Sequence, residues 1–222
     1  MKKTIVFIFL LFSISAFSQQ NKWDVGVVGG AGVTTISRTN SKWYKLTPTI
    51  GFYTGLSARY NFNEHFALHT ELAFDRKGTK DEYTYYAPDG TLLTKYSVTN
   101  QLNYLTLPVL FRASLGNKTK YFLQAGPYLS YLLNYTIKRS SSTTDDPLLN
   151  STTNRTSETP AMDFGMSAGL GAVIPVKEKF SVSCELRGNY GFVDLYSKGS
   201  ANTHALNQSL NFLVGVSYKL GS

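Results

Sequence analysis

Two constellations in this chain have the residue types of hydrolytic chemistry. His69 and Glu71 stand two apart, on one face of a strand, and a serine beside them would complete a nucleophile, base and orienting set. Gly165-Met166-Ser167-Ala168-Gly169 spells the G-x-S-x-G elbow, which works only where a sharp strand-to-helix turn exposes the serine. Here the five residues lie inside an alternating apolar and polar run, so small residues relieving a crowded interior are the better reading. Gly26, Gly29, Gly30 and Gly32 have the density of a phosphate-binding loop, but no helical pattern follows them, and glycine on a bent first strand accounts for them. His65, His69 and His204 do not make a ligand set. The single cysteine, Cys184, excludes an intramolecular disulfide framework and a Cys-based zinc site. No catalytic residue, metal or cofactor is therefore expected.

A different set of charged residues stands out once the strands are laid side by side. Arg59, Glu71, Arg112, Glu185 and Arg187 all fall on the polar positions of alternating segments, with the two signs nearly balanced. Charges shut away from water must be paired or solvated. The five are expected to form a structural pairing network, with Glu71 and Glu185 meeting the three arginines.

The elements that would position them read as strands throughout. From 206 to 220, Leu206, Leu210, Phe212, Val214, Val216, Tyr218 and Leu220 share one face, and Asn207, Ser209, Asn211, Gly215, Ser217 and Lys219 the other. The same period of two recurs over 23–33, 48–60, 66–77, 98–113, 120–137, 161–174 and 180–190, which makes eight strands. Short connections fall near 61–65, 116–119 and 176–179, and long ones over 34–47, 78–97, 138–160 and 191–205. Short turns at one end and long loops at the other, with an even strand count, are the pattern of an outer-membrane barrel whose termini lie on the short-turn, periplasmic side.

Composition decides between a membrane barrel and a soluble one. A solvated face is normally rich in Lys and Glu, whereas only 16% of this chain is charged and the polar face is mostly Gly, Ser, Thr and Asn. Such a face suits a narrow lumen, and the opposite face of Leu, Phe, Val, Ile and Tyr suits lipid. Trp23, Tyr60, Tyr131, Tyr135, Tyr190 and Tyr218 are placed to form interfacial girdles. The expected fold class is an all-β, eight-stranded antiparallel up-and-down transmembrane β-barrel.

Residues 1–18 read as a secretory signal, with Lys2 and Lys3 before an apolar run from Ile5 to Phe12 and a small-x-small site at Ala16-Phe17-Ser18. The barrel domain is then 19–222, and loss of two lysines takes the formal charge from +8 to +6. That excess is spread over turns and loops, as at Lys118, Lys120, Lys138, Arg139, Lys177 and Lys179, with no basic helix or groove for nucleic acid. Such residues would instead meet outer-membrane lipid or lipopolysaccharide phosphates.

Four segments carry a family resemblance: NYLTLPVLFRASL (103–115), KYFLQAGPYLSYLL (120–133), DFGMSAGLGAVIPV (163–176) and LNFLVGVSYKL (210–220). In that order they resemble the PorT-type outer membrane β-barrel proteins of Bacteroidetes. The resemblance implies a small barrel and, through a member tied to protein secretion, an accessory role in a secretion or transport machine. The ending Leu220-Gly221-Ser222 departs from the terminal aromatic of many outer-membrane barrels.

An eight-stranded barrel is just wide enough to be filled by its own side chains. The first functional expectation is a monomeric structural or interaction protein of the outer membrane, meeting surface partners through its long loops. A secretion-machine accessory is the alternative; a lipid-modifying enzyme and a narrow pore stand behind these.

Overall fold

A computed structural model describes residues 22–38, 47–90, 92–141, 150–195 and 205–220. The signal segment 1–18 and His204 lie outside the described residues. Alternation of apolar and polar side chains gives β1 (Trp23–Arg38), β2 (Thr47–Asn61), β3 (Phe66–Tyr86), β4 (Leu92–Leu115), β5 (Lys120–Ser141), a short β6 (Ser151–Asn154), β7 (Met162–Pro175), β8 (Phe180–Gly191) and β9 (Ala205–Leu220). Each long strand pairs antiparallel with its neighbour, and β1 pairs β9 from Trp23↔Leu220 to Arg38↔Ala205. Eight strands thus close into an up-and-down ring in which no long strand is left at an open edge. β6 extends the β7 side of β5, from Thr136↔Asn154 to Arg139↔Ser151.

The two faces separate as their chemistry requires. Val27, Val33, Leu56, Leu72, Phe111, Leu123, Leu170, Leu186, Phe212 and Val216 point outward and are exposed, while Glu71, Asp75, Lys77, Arg112, Asp163, Glu185, Arg187 and Asn211 point inward and are buried. Cys184 also faces outward. In water this would be an inverted protein, and in lipid it is the stable arrangement. Paired rings mark the short-turn end, with Trp23 against Tyr60 and Phe180 against Tyr218, each at 5.0 Å.

Close approach between strands is bought with glycine at particular points. A Cβ on Gly30 would stand 2.0 Å from the Phe212 carbonyl oxygen of β9, and one on Gly165 would meet the Tyr128 ring at 2.8 Å. The inward Tyr128 therefore lies over bare backbone, and the glycines of the G-x-S-x-G letters serve packing.

Two expectations need correction. Of the connections read as long loops, 78–97 is mostly strand, since β3 and β4 pair as far as Tyr86↔Leu92, and strands reach into two others, β1 continuing to Arg38 and β5 to Ser141. Beyond lipid both faces are polar, so pairing persists there without an apolar period to betray it. Tyr135 is the second. Asn103 pairs Asn134 and Tyr104 pairs Leu132, so Leu133 is an extra residue on β5 and reverses the parity that follows. Tyr135 consequently points inward and is buried, not in a girdle.

The ring is lopsided. β3, β4 and β5 have 21, 24 and 22 residues, against 12 to 16 for the other long strands. About 9–11 residues of tilted strand cross the hydrocarbon. Because the short-turn ends are level, β3 to β5 overshoot at the other end as a wall.

Candidate functional site

The lumen is the only place where the chain gathers reactive side chains from many strands among the described residues, and strand parity puts them there. At the short-turn mouth Arg59 Nε donates to Asp24 Oδ2 at 2.8 Å and Nη2 to the same oxygen at 2.5 Å, with Asn61 Nδ2 also donating to it at 2.9 Å. β1 and β2 bring these together because Asp24 and Arg59 are register partners.

One level further in lies the densest cluster. Arg187 Nη1 and Nη2 donate to Glu71 Oε2 and Oε1, both at 2.8 Å, and its Nε and Nη2 donate to Glu185 Oε1 and Oε2 at 2.6 and 2.8 Å. Glu71 also accepts from Tyr53 Oη at 2.5 Å and meets His69 Nε2 at 2.7 Å. Glu185 Oε1 accepts from Gln124 Nε2 at 2.6 Å, and Gln124 Oε1 accepts from Arg112 Nε at 2.7 Å. The Arg112 guanidinium lies 3.8 Å from the Phe122 ring centre. A chain of polar contacts therefore crosses from β3 to β8 and on to β5 and β4.

Of the five residues singled out from sequence, Glu71, Glu185 and Arg187 meet directly. Arg112 reaches Glu185 only through Gln124, and Arg59 pairs with Asp24 outside this cluster. Tyr53 and Gln124 are partners that sequence reasoning missed. Both stand on inward positions, which was the available signal, but an uncharged side chain does not announce a role in ion pairing.

A second missed cluster sits nearer the long-strand end. Lys77 Nζ lies 3.4 Å from Asp75 Oδ2 and 3.9 Å from Asp163 Oδ2, above the rings of Tyr128 and Tyr104 at 4.7 and 5.3 Å. Asn207 Nδ2 donates to Asp163 Oδ2 at 3.0 Å and to Tyr104 Oη at 3.1 Å. Above it Ile36, Leu102, Tyr104, Leu132, Tyr135, Leu195 and Ala205 pack into an apolar plug. Charge, aromatic and aliphatic layers thus succeed one another along the lumen.

The hydrolytic candidates do not converge. Ser167 lies on the straight β7 and donates to Asn189 Oδ1 at 2.6 Å, while His69 turns Nε2 to Glu71 and its Nδ1 has no hydrogen-bond partner. In the overshooting wall Lys80 Nζ, 2.7 Å from Glu82 Oε1, holds that carboxyl below its usual range by hydrogen bonding to it.

A closed antiparallel ring with a polar interior and an apolar belt defines a transmembrane β-barrel. The chain belongs to the family described as outer membrane protein beta-barrel domain, which matches residues 17–197, and it is accordingly an outer-membrane protein. Solved structures similar to it include Neisserial surface protein A, 16% identical with a TM-score of 0.46 over 90% of this chain and 97% of that one. Others are OprG from Pseudomonas aeruginosa (11%, 0.44, 92% and 99%) and Ail of Yersinia pestis in complex with sucrose octasulfate (14%, 0.38, 89% and 98%). Comparison with curated proteins gives no match.

Proposed function

We propose that this protein is a sealed outer-membrane anchor that holds the β3–β5 wall at the cell surface for contact with surface partners. The observation that carries this reading is the strand asymmetry: 21 to 24 residues in β3 to β5 far exceed what lipid needs. The packing of the lumen supports it, because layers of paired charge and an apolar plug bury the inward side chains of the ring. In this reading residues 1–18 are removed as a signal, the short turns and termini face the periplasm, and the chain acts as a monomer without catalytic chemistry. The network of Arg59, Glu71, Arg112, Glu185 and Arg187 has a structural role in it. Lys138 and Arg139, on the outer part of β5, are placed to meet lipopolysaccharide phosphates.

The test is removal of the wall. Replacing Glu82–Lys95 by a two-residue turn is expected to leave heat-modifiable gel migration intact while cells expressing the protein lose adhesion to protein-coated surfaces. Unchanged adhesion would count against the proposal.

A second reading, an accessory of a secretion or transport machine, is favoured by the four PorT-like segments. Co-purification of other envelope proteins with the tagged barrel, unaffected by removal of the wall, would favour it over surface contact.

A further inference from the structure

The short-turn end holds a concavity that neither reading uses. It has a volume of about 420 Å³ and lies beneath the Asp24–Arg59–Asn61 contacts that close the lumen above it. Its lining brings together Lys22 before β1, Lys118 of the β4–β5 turn, Lys120 at the start of β5, Lys179 of the β7–β8 turn and Lys219 of β9. Arg59 and Asp24 neutralise each other, which leaves five lysines against Glu64 and Glu178. Among the described residues none of these lysines has a carboxylate within 4.0 Å; Lys120 is occupied only by the Glu64 carbonyl, at 3.2 Å. Cations that converge from separate turns without partners raise a strong local potential inside a low-dielectric rim. Between them Val173 and Pro175, in the inward row of β7, supply apolar surface.

We propose that this mouth is a docking site for an acidic segment of a periplasmic protein, carboxylates meeting the lysines and apolar side chains resting on Val173 and Pro175. Charge complementarity selects the occupant. The barrel strands and the paired rings of Trp23–Tyr60 and Phe180–Tyr218 stand between the pocket and the bilayer, so a lipid headgroup would have to leave its leaflet to enter. A flexible peptide reaches it from water. The inference rests on the proposed orientation, with short turns in the periplasm, and the two are separable. Peptide binding is measured on the detergent-solubilised barrel whichever way it sits in cells. Orientation is read from antibody access, in intact cells, to an epitope placed at the Asp89–Gly90 tip.

The probe is a fluorescent decaglutamate peptide, titrated by anisotropy against the full barrel at low ionic strength. Saturable binding is expected, weakened roughly tenfold or more in the Lys118→Glu, Lys179→Glu, Lys219→Glu triple variant and lost as salt rises through a few hundred millimolar. A Lys138→Glu, Arg139→Glu variant at the opposite end should bind as the parent does. Lys118→Gln, Lys179→Gln, Lys219→Gln provides a milder version for which heat-modifiable migration confirms folding. Absence of decaglutamate binding, or triple variants that bind as tightly as the parent, would overturn the proposal. So would decaglutamate-independent, lysine-dependent retention of phosphatidylglycerol from mixed-lipid nanodiscs, which would give the mouth to lipid.

Discussion

Halfway along the lumen Glu71 accepts from Tyr53, His69 and both terminal nitrogens of Arg187, whereas a few residues further along the same strand Lys77 is held by carboxylates at 3.4 and 3.9 Å. In the first cluster neither carboxylate has a buried oxygen without a partner. In the second Asp163 Oδ1 and Asn207 Oδ1 are buried with none, and aromatic faces do part of the work of holding the cation. The difference follows from the donors. A guanidinium is a planar fork that serves two carboxylates at once, and an ammonium is a point charge on a flexible stem. An eight-stranded barrel has room for one large ion-paired layer, and the chain places it where both Glu71 and Glu185 can reach one arginine. The lysine layer is the looser of the two and should contribute less to stability.

Substitutions can break that comparison, and the largest effect is expected at Arg187. Arg187→Met strands two buried carboxylates and should cost about 3–5 kcal/mol, the range for breaking a buried ion pair, read as a large fall in the temperature at which the folded gel band disappears. Glu71→Gln leaves Glu185 on the arginine and should cost less, about 2–3 kcal/mol; an unchanged melt would dissolve the network. Lys77→Met keeps an unbranched chain over Tyr104 and Tyr128 and leaves Asp163 its Asn207, but strands the single buried carboxylate of Asp75 where Arg187→Met strands two. A loss of about 2–3 kcal/mol is expected, and one as large as at Arg187 would erase the distinction between the layers. Ser167→Ala removes one hydrogen bond to Asn189 and should cost only about 0.5–1.5 kcal/mol, with lipid A mass spectra unchanged.

Period two carried most of the fold because lipid and lumen impose opposite demands on alternate residues. The ends of all eight ring strands at the short-turn side lie within two residues of where alternation places them. The other ends were hidden for a physical reason. The stretch Thr79–Glu82, read as loop, pairs beyond the lipid with polar residues on both faces, and the backbone ladder continues without any hydrophobic signature. Tyr135 was misplaced because one bulged residue, Leu133, reverses every later side chain and leaves no mark in composition.

For the site, parity told which charges face inward and could not tell which ones touch. Arg187 and Glu71 are 116 residues apart and meet across the lumen, on strands that are not neighbours in the ring. Arg112 was expected at a glutamate and instead meets Gln124, its register partner on β5. Asp75 and Lys77 occupy the same inward row as Glu71 and were visible there. Their association with Asp163 required the closed ring.

A lumen sealed by its own side chains passes no current, and planar-bilayer recording of the purified barrel is the decisive measurement. No steady conductance is expected for the parent protein at moderate voltage, with open events appearing only when Arg187 is replaced. Sustained ohmic conductance of the unmodified barrel would contradict it and would make the charged layers the lining of a pore.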